Sequence, residues 1–161
     1  MCIGFANNYN KHVLQDLSAR GAVFVHALDH VPEGAVTVFS AHGVSDAVVA
    51  EGITRKLRVI DATCPLVTKV HVQAKQYADE GDEVILIGHP GHPEVEGTRG
   101  RIRGRVHVLS TVEEVEALQV SDAKRLAYVT QTTLSVDDTR AAIDALVRRF
   151  PDTRGPELKD I

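Results

Sequence analysis

Six short aliphatic runs, at residues 22–25, 36–39, 57–60, 84–87, 106–109 and 126–129, alternate with helical patterns along this 161-residue chain. Each is bounded by Gly, Pro or polar residues and is rich in Val, Leu, Ile and Ala. Strands buried on both faces of a parallel sheet read this way, because neither face carries a regular polar alternation. The stretches between them carry helix signals. Residues 10–20 place Val13, Leu14 and Leu17 on one face and stop at Gly21. Ser45 can cap a helix that runs to about Arg55. Pro65 opens a longer one, with Leu66, Val67, Val70, Ala74, Tyr77 and Ala78 at helical spacing and Gly81 just past its end. Ser110 with Glu113 reads as a capping box, and Ser135 with Asp138 as its near relative ahead of Ile143, Leu146 and Val147. Strand, helix, strand, helix predicts an α/β fold with short, mainly parallel sheets covered on both sides by helices. The link at residues 27–35 is too short for a helical crossover, so the first two runs are not sheet neighbours or one of them is an edge.

Composition narrows the function classes. A net charge of −4 exerts no long-range pull on nucleic acid or anionic membrane. No apolar run approaches the roughly 18 residues that span a bilayer. The first ten residues lack a basic segment followed by an apolar stretch, so they do not read as a secretory signal. Two cysteines make no disulfide framework, which points to a reducing, cytoplasmic setting. Cys2 reads as part of a frayed terminus. Residues 151–161, polar and punctuated by Pro151, Gly155 and Pro156, read as a linker.

Four segments that follow predicted strands can carry chemistry. Asp61-Ala62-Thr63-Cys64-Pro65 places Cys64 at or beside a helix start, where unpaired N–H groups favour thiolate over thiol. Such a thiolate can ligate a metal or attack an electrophile; a buried structural cysteine satisfies the same position. Gly88-His89-Pro90-Gly91-His92-Pro93-Glu94-Val95-Glu96-Gly97 packs two imidazoles and two carboxylates into one loop whose Gly and Pro residues dictate its path. His92 can donate to an anionic oxygen, and Glu94 in a closed pocket can deliver a proton. A polar surface turn is the alternative, and the spacing of His89, His92 and Glu94 matches no zinc-helix motif. Ser40-Ala41-His42-Gly43-Val44-Ser45 reads as an anion cradle or as a capping turn with an exposed His. Thr130-Gln131-Thr132-Thr133-Leu134-Ser135 offers hydroxyls and an amide before a helix, for binding oxygens or simply for capping. Parallel strands would gather these segments at carboxyl edges, where ligands of open α/β sheets bind. Arg99, Arg101, Arg103 and Arg105 read as a solvated loop or strand edge. His12, His26, His30, His71 and His107 have no convincing partner by spacing, and His71 is expected to face solvent from its helix.

The segments Phe39-Ser40-Ala41-His42-Gly43-Val44-Ser45, Asp61-Ala62-Thr63-Cys64-Pro65-Leu66-Val67-Thr68-Lys69-Val70-His71, 88–98 and 130–138 closely resemble the 4-hydroxy-3-methylbut-2-enyl diphosphate reductases. The resemblance runs from about Asn10 to Ile161. It implies a trefoil of three similar α/β domains around a 4Fe-4S cluster held by three cysteines. It also implies two-electron reductive dehydroxylation of an allylic diphosphate to isopentenyl and dimethylallyl diphosphates, with electrons from a donor such as ferredoxin or flavodoxin. Matched residue by residue, Cys64 is a cluster ligand, His42 and His92 are diphosphate ligands, and Glu94 is the acid that relays a proton. Thr132 is a hydroxyl near that carboxylate and the substrate, with Gln131 and Thr133 beside it.

Some positions depart from the pattern. Cys2 does not match the first cluster cysteine, and Tyr9 stands where the family has a diphosphate-binding histidine. The third cysteine is expected just beyond Ile161. Residues 1–64 then form an incomplete first domain and 65–161 a second one with a C-terminal linker. One thiolate does not hold a cubane firmly, so the isolated chain is expected to lack a stable cluster and activity. Two other classes remain open. One is a non-catalytic α/β module that binds diphosphate or another anion through His42, His92 and Thr132. The other is a thiol enzyme working through Cys64 alone.

Overall fold

The computed structural model describes residues 2–5 and 11–156. It contains two parallel sheets. The first has the order β2-β1-β3-β4, built from β1 (Cys2–Phe5), β2 (Val23–Val25), β3 (Val36–Phe39) and β4 (Arg58–Asp61). The second has the order β6-β5-β7, built from β5 (Glu83–Ile87), β6 (Val106–Leu109) and β7 (Leu126–Thr130). Every pairing is parallel, as the aliphatic runs predict.

β5 explains the continuous apolar pattern. All five of its residues are buried, and their parity divides the core. Ile85 and Ile87 join Leu126, Tyr128, Val115 and Leu146 on one face. Val84 and Leu86 join Ala127, Val129, Ala74 and Val95 on the other. Helices α5 (Val112–Ala117) and α6 (Val136–Arg149) cover the first face. Helices α3 (Pro65–Asp79) and α4 (Pro93–Arg99) cover the second. Full burial of each such aliphatic side chain contributes roughly 1.5–3 kcal/mol. The first sheet packs a smaller core, with Val25, Leu28, Val31, Phe39 and Val44 drawn together and α2 (Asp46–Thr54) contributing Val48 and Val49. α1 (Lys11–Ala19) buries none of its residues, and β4 is exposed along its whole length.

Several expectations needed correction. Residues 2–5 form a strand in the interior of the first sheet, where a frayed terminus was expected. Cys-Ile-Gly-Phe is short and interrupted by glycine, so it carries no strand periodicity of its own. Its insertion separates β2 from β3 and leaves β2 at an edge, which resolves the short link between them. Tyr9 lies outside the described residues. The capping box sits one residue later than expected: Thr111 accepts from Glu114 N–H, and the Glu114 carboxylate returns to Thr111 N–H and Ser110 N–H. Ser135 is an N-cap whose hydroxyl makes no capping bond.

The expected linker after Pro151 begins as structure. Arg154 forms a parallel bridge to Ala127, donating its N–H to Leu126 O at 2.9 Å and accepting from Tyr128 N–H at 2.8 Å. Its guanidinium stacks over Tyr77 and reaches Glu80 at 2.7 Å and Asp82 at 2.8 Å.

Candidate functional site

Cys64 is the N-cap of α3, as its position before Pro65 predicts. The turn that carries it is built locally. At the end of β4, Asp61 Oδ1 accepts from Thr63 N–H at 2.9 Å and from Thr63 Oγ1 at 2.5 Å. Burial pushes the Asp61 carboxyl upward, but those two bonds, with Arg101 and His71 nearby, outweigh it and hold the group below its ordinary range. Cys64 N–H donates to Ala41 O at 2.9 Å, which ties the thiol turn to the loop after β3. The thiol is free and partly exposed, and it makes no capping bond.

The loop after β3 carries His42 and Gly43. Gly43 has φ of +74°, a region that favours glycine, and a β-carbon there would lie 2.4 Å from His71 Cε1. His71 therefore points inward from α3, against the expectation of a solvent-facing ring, and is only 4% exposed. Its position three to four residues from Val67 and Ala74 places it on the helix's buried stripe. Burial, reinforced by Arg101, lowers its pKa to about 4, against the opposing pull of Asp61 and Asp46.

The segment after β5 becomes a helix sooner than its Gly and Pro content suggests. Pro93 occupies the first helical position and His92 is the N-cap. His92 Nδ1 accepts from Glu94 N–H at 3.2 Å. In the neutral ring that leaves Nε2 as the proton carrier and donor. Burial, with His42 and His89 nearby, lowers the His92 pKa against the pull of Glu94. The His42 and His92 rings stand edge to face, with centroids 5.3 Å apart.

Glu94 is 1% exposed, and both its oxygens meet the segment after β7. Oε1 accepts from Thr132 N–H at 2.7 Å, and Oε2 lies 2.9 Å from Thr132 Oγ1. Thr132 itself is exposed, so its hydroxyl is the outward end of this pair. Gln131 has a different position. Its Oε1 accepts from His89 N–H at 3.0 Å and its Nε2 donates to Thr133 Oγ1 at 2.8 Å. The amide thus braces the turns after β5 and β7 from a buried site, while Thr133 is exposed. A cleft of about 170 Å³ opens beside Thr132, walled by Leu66, Lys69 and Val70 of α3 and by Thr130 of β7.

The structure thus brings His42 to His92 and Glu94 to Thr132, and ties Cys64 to the His42 loop. Spacing alone did not reveal Arg101, whose Nε donates to Val44 O at 2.7 Å and which lies 3.5 Å from Asp46. It also missed His107, which is 2.8 Å from Glu83 at the opposite end of the second sheet. Gly97 on α4 and Gly100 at its C-cap were the available signal for the first of these. A β-carbon on Gly97 would lie 3.0 Å from Gly43 O, and one on Gly100 would lie 2.3 Å from Ser45 Cβ. Small residues three apart, in the last turn and at the cap, permit such close approach.

A model of the LytB protein family matches residues 8–161. The chain belongs to that family. The reductase from Psychrobacter arcticus, named 4-hydroxy-3-methylbut-2-enyl diphosphate reductase, is 56% identical over 157 residues, covering 95% of this chain and 49% of that protein. The protein of the same name from Azoarcus is 56% identical over 153 residues, with the same coverage of each. The structure of E-1-hydroxy-2-methyl-but-2-enyl-4-diphosphate reductase from Plasmodium falciparum superposes with a TM-score of 0.93 at 36% identity, over 100% of this chain and 51% of that one. A second structure, titled as (E)-4-hydroxy-3-methyl-but-2-enyl diphosphate reductase, the terminal enzyme of the non-mevalonate pathway, gives 0.82 at 28% identity over 96% of this chain and 55% of that one. The chain spans about half the length of the curated relatives it matches.

Among the described residues no cluster of three or more His, Cys, Asp and Glu could hold a metal ion. The exposed edge of Cys64 suits one ligand position, but a single thiolate does not fit a cubane by itself. Among the described residues no helix is long and apolar enough to cross a membrane.

Proposed function

We propose that this chain is the part of a 4-hydroxy-3-methylbut-2-enyl diphosphate reductase that supplies one cluster thiolate, the imidazole grip on the diphosphate and the proton-delivering pair. The observation that carries this reading is the convergence of His42, His92, Glu94 and Thr132 from the carboxyl ends of three strands, β3, β5 and β7. The names of the relatives support it.

His92 contributes a neutral ring whose Nε2–H donates to a diphosphate oxygen, because its Nδ1 is occupied by Glu94 N–H. His42, held edge-on to it, supplies the second imidazole. A hydrogen bond to an anionic acceptor is worth about 1.5–3 kcal/mol, so the pair can anchor a ligand without a lysine. Glu94 is the carboxyl that delivers the proton, and Thr132 Oγ1, which donates to Oε2, relays it outward, since the hydroxyl is exposed and the carboxyl is not. Thr132 N–H on Oε1 fixes the carboxyl plane for that transfer. Gln131 and Thr133 keep the segment in place. Cys64 serves as one ligand of a 4Fe-4S cluster whose other ligands lie outside the described residues; that cluster, when bound, supplies the two electrons. In this reading residues 1–64 belong to a first unit and 65–161 to a second within a three-domain trefoil. The electron donor is a ferredoxin or flavodoxin, and the setting is the cytoplasm.

Titration calorimetry with inorganic pyrophosphate tests the diphosphate assignment. Binding that His42→Ala and His92→Ala each weaken is expected. No binding by the parent chain, or binding indifferent to both substitutions, refutes it. The second reading, a non-catalytic diphosphate-binding module, rests on the His42–His92 ring pair, which needs no cluster to bind an anion. Complementing the chain with the half of a relative that it does not span separates the two: turnover supports the reductase part, and a cluster-free, inactive assembly supports the module.

A further inference from the structure

His71 is used by none of the steps above, yet it stands where the three parts of the site meet. It lies on α3, two turns beyond Cys64, on the buried stripe with Val67 and Ala74. Its ring is packed under Gly43, close enough that a β-carbon on that glycine would be 2.4 Å from Cε1 and 3.1 Å from Nε2. The same β-carbon would be 3.3 Å from Thr63 Cγ2, in the turn that presents Cys64. On the opposite side of the loop stands Gly97 of α4, the helix that carries His92 and Glu94. Gly43 is therefore sandwiched between two helices, and His71 Nε2 is buried there without a hydrogen-bond partner. Burying a polar ring nitrogen unpaired is costly, and a leucine would fill space at lower cost. The loop is fastened beyond this point by Arg101 Nε on Val44 O and by Asp46 N–H on Gly100 O at 3.2 Å.

We propose that His71 is a positioning residue: its ring is the spacer under Gly43 that sets the His42 imidazole against His92 and fixes both relative to Cys64. The proposal deepens the diphosphate reading and relies on it only for the binding consequence. The Cε1–Nε2 end of the ring meets Gly43, so the reach of a rigid imidazole sets how closely the loop approaches α3. A shorter side chain lets Gly43 drop toward α3, which draws His42 away from His92.

The test uses the 161-residue chain with two readouts. One is the nuclear Overhauser contact between the His42 and His92 ring protons. The other is the Kd for inorganic pyrophosphate. His71→Ala is expected to abolish the ring contact and to weaken pyrophosphate on the order of tenfold, the loss of one charge-assisted hydrogen bond. Val115→Ala, in the core beneath α5, lowers stability without touching this loop, and is expected to change neither readout. A folded His71→Ala chain with both readouts intact overturns the proposal, and so does a Val115→Ala chain that loses them equally. If His71→Ala does not fold, Gly97→Ala is read in its place, since it forces the Gly43 carbonyl to shift by a few tenths of an ångström from the other side. If the parent chain binds no pyrophosphate, the diphosphate reading fails, and the ring contact alone decides the role of His71.

Discussion

Lowering the pH from about 7 toward 5 should destabilise this chain through His71. The folded protein keeps that ring neutral down to about pH 4, because charging it under Gly43 would strip the imidazolium of water. The unfolded chain protonates it near the ordinary value of 6.5. Between those two values the unfolded state binds one more proton than the folded state, so stability falls as pH falls. At 1.36 kcal/mol per unit, the effect grows to about 2 kcal/mol by pH 5 and at most about 3 kcal/mol near pH 4. The depressed carboxylates Asp61, Glu83 and Glu114 lose stability in the same direction as the pH falls, and the comparison of parent with variant removes the part common to both. His92 falls inside this window, since its pKa is also lowered, but its contribution is common to parent and variant. Urea denaturation followed by far-UV circular dichroism, at about pH 7, 6 and 5, gives the stability at each pH. His71→Gln keeps a polar side chain and removes the titration. Its stability should decline by about 2 kcal/mol less than the parent's over that interval. Parallel decline of the two proteins would refute the reasoning.

Three further outcomes follow from the same geometry. Cys64→Ser should strengthen the start of α3 by about 0.5–2 kcal/mol, because serine caps where the thiol does not, while eliminating thiol-dependent iron uptake; the parent chain, reconstituted anaerobically, should hold well under about four irons and show no turnover. Iron analysis and a urea midpoint check both parts. Thr132→Val should cost about 1–3 kcal/mol in urea denaturation, since Glu94 Oε2 loses its partner in a site 1% exposed, and Thr132→Ser should recover most of it. Gly155→Ala should lower the thermal midpoint, because a β-carbon there would lie 2.1 Å from Tyr128 Cε1 and the ring must move; an unchanged midpoint would argue against residues 154–156 docking beside β7.

The second sheet was legible almost residue by residue. Residues 84–87 and 126–129 needed at most one residue of adjustment, because a strand buried on both faces must be apolar throughout and Gly or polar residues must bound it. Cys64 before Pro65 was legible for a similar local reason: proline is tolerated at the first helical position, so the residue before it is the cap. β1 was not legible. Four residues with a central glycine become a strand only when β2 and β3 pair with them from both sides. α4 was obscured by its own caps, since two Pro and two Gly look like a loop until His92 Nδ1 accepts the first free N–H. Arg154 looked like part of a polar tail, and only its bridge to Ala127 and its pairs with Glu80 and Asp82 make it part of the sheet.

The sequence by itself determined which segments close strands and open helices. Apolar strands, capping residues and the order of the four motifs are local properties, and local sterics and hydrogen bonding are enough to read them. Only the tertiary structure decided which of those groups meet. The pairing of His42 with His92, of Glu94 with Thr132, and the burial of His71 under Gly43 join residues between 28 and 50 positions apart. Their contact depends on how closely α3 and α4 approach the loop after β3. That distance is set by side chains that are absent, at Gly43 and Gly97, as much as by the one ring that fills the gap between them.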